Sequence, residues 1–92
     1  MTSEQTWKHV FMNWPAGIQR RGVLLTTLNE AVPFKSFMVK DDLLMLERNN
    51  PDPLGARFVL LGYDAINCVK LVDPLKESVF TAAGFLGKLS PV

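Results

Sequence analysis

Five short apolar runs, each cut off by turn residues, fill the stretch from Gly22 to Val72 and limit what this chain can become. They are Gly22-Val-Leu-Leu-Thr-Thr-Leu28, Phe34-Lys-Ser-Phe-Met-Val39, Leu43-Leu-Met-Leu-Glu-Arg48, Arg57-Phe-Val-Leu-Leu61 and Ile66-Asn-Cys-Val-Lys-Leu-Val72. Runs of this length are strands rather than helices. Five of them so closely spaced suit a small, strongly bent barrel better than a flat sheet, so the reading is a mainly β domain.

The breaks have their own chemistry. Asn29-Glu30 supplies a turn before Pro33, which can open a strand but lacks the N–H needed mid-ladder. Lys40-Asp41-Asp42 is a short polar break of hairpin type. Asn49-Asn-Pro-Asp-Pro-Leu-Gly55 is the clearest loop, because two prolines and a glycine defeat both helix and central strand. Arg57 to Leu61 reads as a buried strand. Gly62-Tyr-Asp-Ala65 is too short for a wide loop and predicts one tight turn, of 3₁₀ type, leading straight into the fifth strand.

A helix is expected on each side. Trp7, Val10, Phe11 and Trp14 fall at i, i+3, i+4 and i+7, lining one helical face over residues 4–13, with Thr2 or Ser3 as cap and Pro15 and Gly17 ending the run. That aromatic stripe needs cover and is expected to close one end of the barrel, residues 20–72. Downstream, Asp73 reads as a cap and Pro74 as the first helical residue of a second helix over 74–83, with Leu75, Val79, Phe80 and Ala83 on its apolar face and Gly84 as its stop. Phe85 to Val92 is an apolar tail without period, either an arm that docks on a neighbour or a frayed end.

Composition narrows the setting. A chain of 92 residues has room for one domain, residues 1–92, and a domain this small buries only about 60–65% of its unfolded surface. Hydrophobic residues make up 48% and charged ones 21%, more apolar side chains than one small core hides, so an apolar surface is expected to meet another subunit or partner. The net charge of +1 permits nucleic acid without demanding it. Cys68 is the single cysteine, which excludes an intrachain disulfide and a thiolate-only zinc site. With neither a leader-like start nor an apolar run near the ~20 residues that span a bilayer, the expectation is a cytoplasmic protein that engages no membrane.

Single residues carry little chemistry. His9 reads as a surface histidine beside the aromatic stripe, and Cys68 as a small buried hydrophobe. Asp41, Asp42 and Asp64 sit in turns that can converge, but Asp is a common turn residue, so no metal and no cofactor is expected. Tyr63 has two readings, a ring that stacks on a base or a buried ring with its hydroxyl bonded. Trp7 and Trp14 read as core or subunit contact. Arg20, Arg21, Lys35, Arg48 and Arg57 place positive charge near strand ends, where they either gather to hold phosphates or stay dispersed over a solvated surface; the Arg20-Arg21 pair is the best single candidate. No catalytic arrangement can be assembled, and the protein is not expected to be an enzyme.

A helix followed by five short strands, the last two joined by a tight turn, resembles the Sm-like (Lsm/Hfq-type) family of small SH3-like barrels. The resemblance covers roughly Trp7 to Val72. It is carried by Lys40-Asp-Asp-Leu-Leu-Met-Leu-Glu-Arg48, similar to the family's second-to-third-strand segment, and by Gly62-Tyr-Asp-Ala-Ile-Asn-Cys-Val69, similar to its second motif. The chain departs from the family in having no glycine within Phe34 to Val39, and in placing Asp42-Leu43 and Tyr63-Asp64 where the family's pore turns meet RNA. Carboxylates there repel phosphates.

The resemblance implies a homo-oligomeric ring in which the fourth strand of one copy pairs with the fifth of the next, hiding both edges. Arg57, Phe58, Val59, Leu60 and Leu61 would then meet Ile66, Cys68, Val69 and Leu71 of a neighbour. It also implies single-stranded RNA as a partner, at the pore-turn positions Asp42, Leu43, Tyr63 and Asp64, to which the Arg20-Arg21 pair adds the candidate phosphate contact read from charge. The alternative is a scaffold on the same fold without nucleic acid, with a protein partner held through the C-terminal arm.

Overall fold

The computed structural model describes residues 2–90; Met1, Pro91 and Val92, the last two residues of the expected arm, lie outside the described residues. In chain order it has α1 (Ser3–Met12), β1 (Gly22–Thr26), β2 (Ala31–Lys40), β3 (Leu43–Arg48), β4 (Phe58–Gly62), a 3₁₀ turn (Tyr63–Ala65), β5 (Ile66–Lys70) and α2 (Glu77–Ala82).

All five strands join one antiparallel sheet in the order β4-β3-β2-β1-β5. β4 and β5 are its two edges and do not pair with each other, so the sheet is open and not the closed barrel expected from the sequence. It is nonetheless strongly bent. The four Cα steps from Gly62 to Ile66 reach at most about 14 Å, whereas the edges of a flat five-stranded sheet lie about 19 Å apart. The 3₁₀ turn, placed as expected, can link one edge to the other only because the sheet curls.

Side-chain periodicity explains how it curls. Leu24 of β1, and Leu44 and Leu46 of β3, follow the period of two and are fully buried. In β2 the buried residues are Val32, Phe34 and Phe37, a step of two and then of three. Both phenylalanines reach one core because the β2–β3 register slips between Phe34 and Ser36, leaving Lys35 as the extra residue of a bulge. The bulge bends a strand that contains no glycine.

Pro33 sits within β2, opposite Val23, rather than at its start. The bond from the Thr26 N–H to the Glu30 carbonyl sets the hydrogen-bonding phase of β1–β2, and by that phase the Pro33 nitrogen faces the β3 side. The β2–β3 ladder has already ended there, at Phe34 and Arg48, so no bond is lost.

Phe11 is the one buried residue of α1 and joins the sheet core, its ring 4.9 Å from that of Phe37 in an edge-on arrangement. Trp7 and Trp14 pack half-buried against the same cluster. The helix starts as expected: the Thr2 hydroxyl accepts from the Gln5 N–H and the Gln5 side chain returns the bond to the Thr2 N–H. It ends at Met12, so Trp14 lies in the following turn, where its indole N–H donates to the Ile18 carbonyl.

The second helix differs from its expected span. Asp73 is not a cap; its carboxylate is held by Arg21, Pro74 to Lys76 is not helical, and α2 begins at Glu77. Gly84, at φ +100, ends it as expected. The tail folds back through a bond from the Leu89 N–H to the Glu77 carboxylate, while Phe85, Leu86 and Leu89 stay exposed.

Candidate functional site

The edges of the sheet are its most reactive backbone. In the β3–β4 ladder the Arg48 N–H donates to the Arg57 carbonyl, which makes 46/59 and 44/61 the hydrogen-bonded pairs and turns the N–H groups of Phe58, Leu60 and Gly62 outward. β4 is therefore not the buried strand expected over Arg57 to Leu61. Val59 and Leu61 face the core, while Phe58 is 57% and Leu60 68% exposed on the outer face. At the other edge Ile66 is buried, and Cys68, Val69 and Leu71 are half-buried. Cys68 is thus a partly exposed thiol rather than a buried one.

Register extends the outer apolar face inward from that edge. Leu60 lies opposite Met45, and Met45 opposite Met38, with Leu43 and Phe58 flanking them. The run Leu43-Leu-Met-Leu46 carries the signal for this face, since four consecutive apolar residues describe a strand wanted dry on both sides. No local motif marks Met38 or Met45; only the strand register brings them together.

The residues expected from the sequence to meet RNA have different surroundings. The Arg20 guanidinium donates to the Phe37 carbonyl at 2.8 Å and lies 3.7 Å over the centre of its ring. Arg21 is bound to Asp73 through both Nε and a terminal nitrogen, which holds the Asp73 carboxyl below its ordinary value. Asp42 accepts from the Lys8 ammonium at 2.9 Å, tying the β2–β3 turn to α1 and raising the lysine. Asp41 holds that turn at φ +49. Tyr63 is fully buried: its ring packs 6.4 Å from Phe11, its hydroxyl reaches the Leu43 carbonyl at 3.4 Å, and burial pushes the phenol up. Leu43 and Asp64 are exposed, the Asp64 carboxylate folding back over Gly62. Among the described residues, no three of His, Cys, Asp or Glu gather as metal ligands would.

The other cations do converge. Lys35, Arg48 and Arg57 line one pocket of about 130 Å³ at the β3–β4 loop, together with Glu47, Asn49, Asn50, Pro51 and Phe58. The bulge carries Lys35, and Arg48 and Arg57 face each other across the ladder. The Arg48 Nε donates to the Asn50 carbonyl at 3.0 Å, which fixes the guanidinium and leaves its terminal nitrogens available. Neither Lys35 nor Arg57 forms an ion pair among the described residues. The loop beneath is held by Asp52, whose Oδ1 accepts from the N–H groups of Leu54 and Ala56 at 2.8 Å each, and these bonds hold its carboxyl low.

Among the described residues, no helix is long and apolar enough to cross a membrane. No family model matches this chain, and neither a curated protein nor a solved structure matches it significantly.

Proposed function

We propose that this chain is a self-assembling, non-enzymatic module of Sm-like type, in which β4 of one copy pairs with β5 of the next to close a homo-oligomeric ring. The observation that carries the reading is the pair of free edges: β4 presents outward N–H groups flanked by exposed Phe58 and Leu60, and β5 stands free at the opposite side of the same sheet. The strand order supports it, since the resemblance requires β4 and β5 as the two edges. So does the surface. A folded monomer of 10.3 kDa exposes about 5,350 Å², and this chain exposes 6692 Å². The excess exceeds the ~800 Å² that one partner contributes to a standard interface.

Leu60→Pro tests this cleanly, because the nitrogen it blocks points away from β3. Mass in solution is measured for both proteins, with circular dichroism as the check on folding. The expected result is a multiple of 10.3 kDa for the parent and a folded, smaller species for the variant. A parent that stays monomeric at tens of micromolar, or an L60P assembly of unchanged mass, refutes the reading. A second reading rests on exposed Phe85, Leu86 and Leu89: the arm docks a protein partner or another copy. Deleting residues 84–92 without effect on assembly or capture removes it.

A further inference from the structure

The aromatic side chains of α1 and of the turn after it border a space that the sheet core does not fill. Trp7 and Trp14 stand half-buried on one side of it, and Phe80 and Phe85, edge-on with ring centres 6.0 Å apart, on the other. Val69 and Leu71 close it behind, leaving a cavity of about 250 Å³. α2 reaches over it because Gly17 lets the helix rest close: a Cβ there would lie 3.2 Å from Val79 Cγ1. We infer that this cavity between α1, β5 and α2 is a binding site for a small, uncharged, apolar aromatic molecule.

Size, charge and polar inventory select that class. An apolar cavity of about 150 Å³ takes up benzene, with six heavy atoms, so this one holds about ten, a single substituted ring. None of the ten lining residues is charged, so an ionised group would lose its water and gain no partner. Three lining side chains carry a polar group, and two of them are spent within the chain. The Thr6 hydroxyl donates to the Thr2 carbonyl at 3.0 Å, and the Trp14 indole N–H to the Ile18 carbonyl at 2.9 Å. That leaves the Trp7 N–H, a match for one acceptor at most. Four aromatic rings in the walls favour a further ring packed edge to face. The site is compatible with assembly. Val69 lies opposite the fully buried Leu24, so its side chain faces inward, and a copy pairing with β5 would use the edge backbone instead. Leu71 lies beyond Lys70, the last residue of the strand.

The test titrates the full chain with propylbenzene and follows the fluorescence of Trp7 and Trp14, both of which line the site. A saturable change is expected, with a dissociation constant on the order of 100 μM for so small a ligand. 3-Phenylpropionate, the same skeleton ending in a carboxylate, is expected to bind about 30-fold more weakly. Thr6→Phe puts a ring into the mouth from an exposed position and is expected to weaken propylbenzene about tenfold. Met12→Phe adds a ring on the same helix outside the lining and is expected to leave binding unchanged. Phe80→Ala removes one wall, on a helix with no buried residue, and provides a second weakened variant, with circular dichroism as the check on folding. The absence of a saturable change, as for a groove that receives a partner's side chain instead, overturns the site. So does equal loss in T6F and M12F, binding retained by both T6F and F80A, or 3-phenylpropionate binding as tightly as propylbenzene. Mass is recorded on each sample, so loss of assembly and loss of binding are read separately.

Discussion

Replacing Phe11 by alanine tests whether α1 is part of the core or an appendage on it. Phe11 is 1% exposed, is the one buried side chain of its helix, and packs on Phe37, Trp14 and Tyr63. Truncating a buried phenylalanine costs about 3–5 kcal/mol, of which the edge-on pairing with Phe37 supplies about 0.5–1.5 kcal/mol. A chain of 92 residues has roughly 5–14 kcal/mol in total, so the loss takes a large share of it. With about 4–8 °C per kcal/mol at this size, the melting temperature falls by roughly 12–40 °C. Urea unfolding at one fixed protein concentration, followed by far-ultraviolet dichroism and by tryptophan fluorescence, reads the change. Trp7 and Trp14 both flank the site and report local loosening. Phe11→Leu keeps most of the volume and is expected to cost less than ~1.5 kcal/mol. A loss below about 1 kcal/mol for F11A, with the helix signal intact, shows that α1 contributes little to the core and refutes the argument.

Gly22→Ala is expected to destabilise the β1–β5 pairing, because a Cβ at that position would lie 2.5 Å from the Lys70 carbonyl oxygen; the cost of parting two backbones is about 1–3 kcal/mol, read by urea midpoint, and an unchanged midpoint contradicts it. The Arg21–Asp73 pair sets an acid dependence. Asp73 is held below its ordinary 3.8, so its contribution is complete above that value and is lost as pH falls through the lower folded value. Arg21→Gln should therefore narrow its stability gap to the parent as pH falls below the ordinary carboxylate value, and show a constant gap above pH 5. A gap that grows on acidification reverses the sign. The same window contains Asp52, which is why the comparison is made against the parent at each pH.

Much of the fold was legible in local pattern. The five strands, the 3₁₀ turn at Tyr63–Ala65, the Thr2 cap and the Gly84 stop all depend on residues close in sequence. Elements that depend on distant partners read less well. Asp73-Pro74 has the chemistry of a helix start, and a guanidinium from Arg21, 52 residues earlier, took the carboxylate. Pro33 was tolerated mid-strand because β3 had ended beside it. The site was less legible still. Charge near strand ends could be seen in the sequence, but which cations would gather depended on a bulge at Lys35 that only the three-residue step between Phe34 and Phe37 betrays.

The chain by itself therefore determined its strands, their turns and the need for cover on an excess of apolar surface, because these follow from side-chain period and transfer free energy over a few residues at a time. Tertiary structure decided the rest: that the sheet curls yet stays open at β4 and β5, that Tyr63 belongs to the core, and that Arg20 and Arg21 are engaged while Lys35, Arg48 and Arg57 converge. Those outcomes turn on register and on pairings between residues far apart in the chain, and neither is written in any local window of sequence.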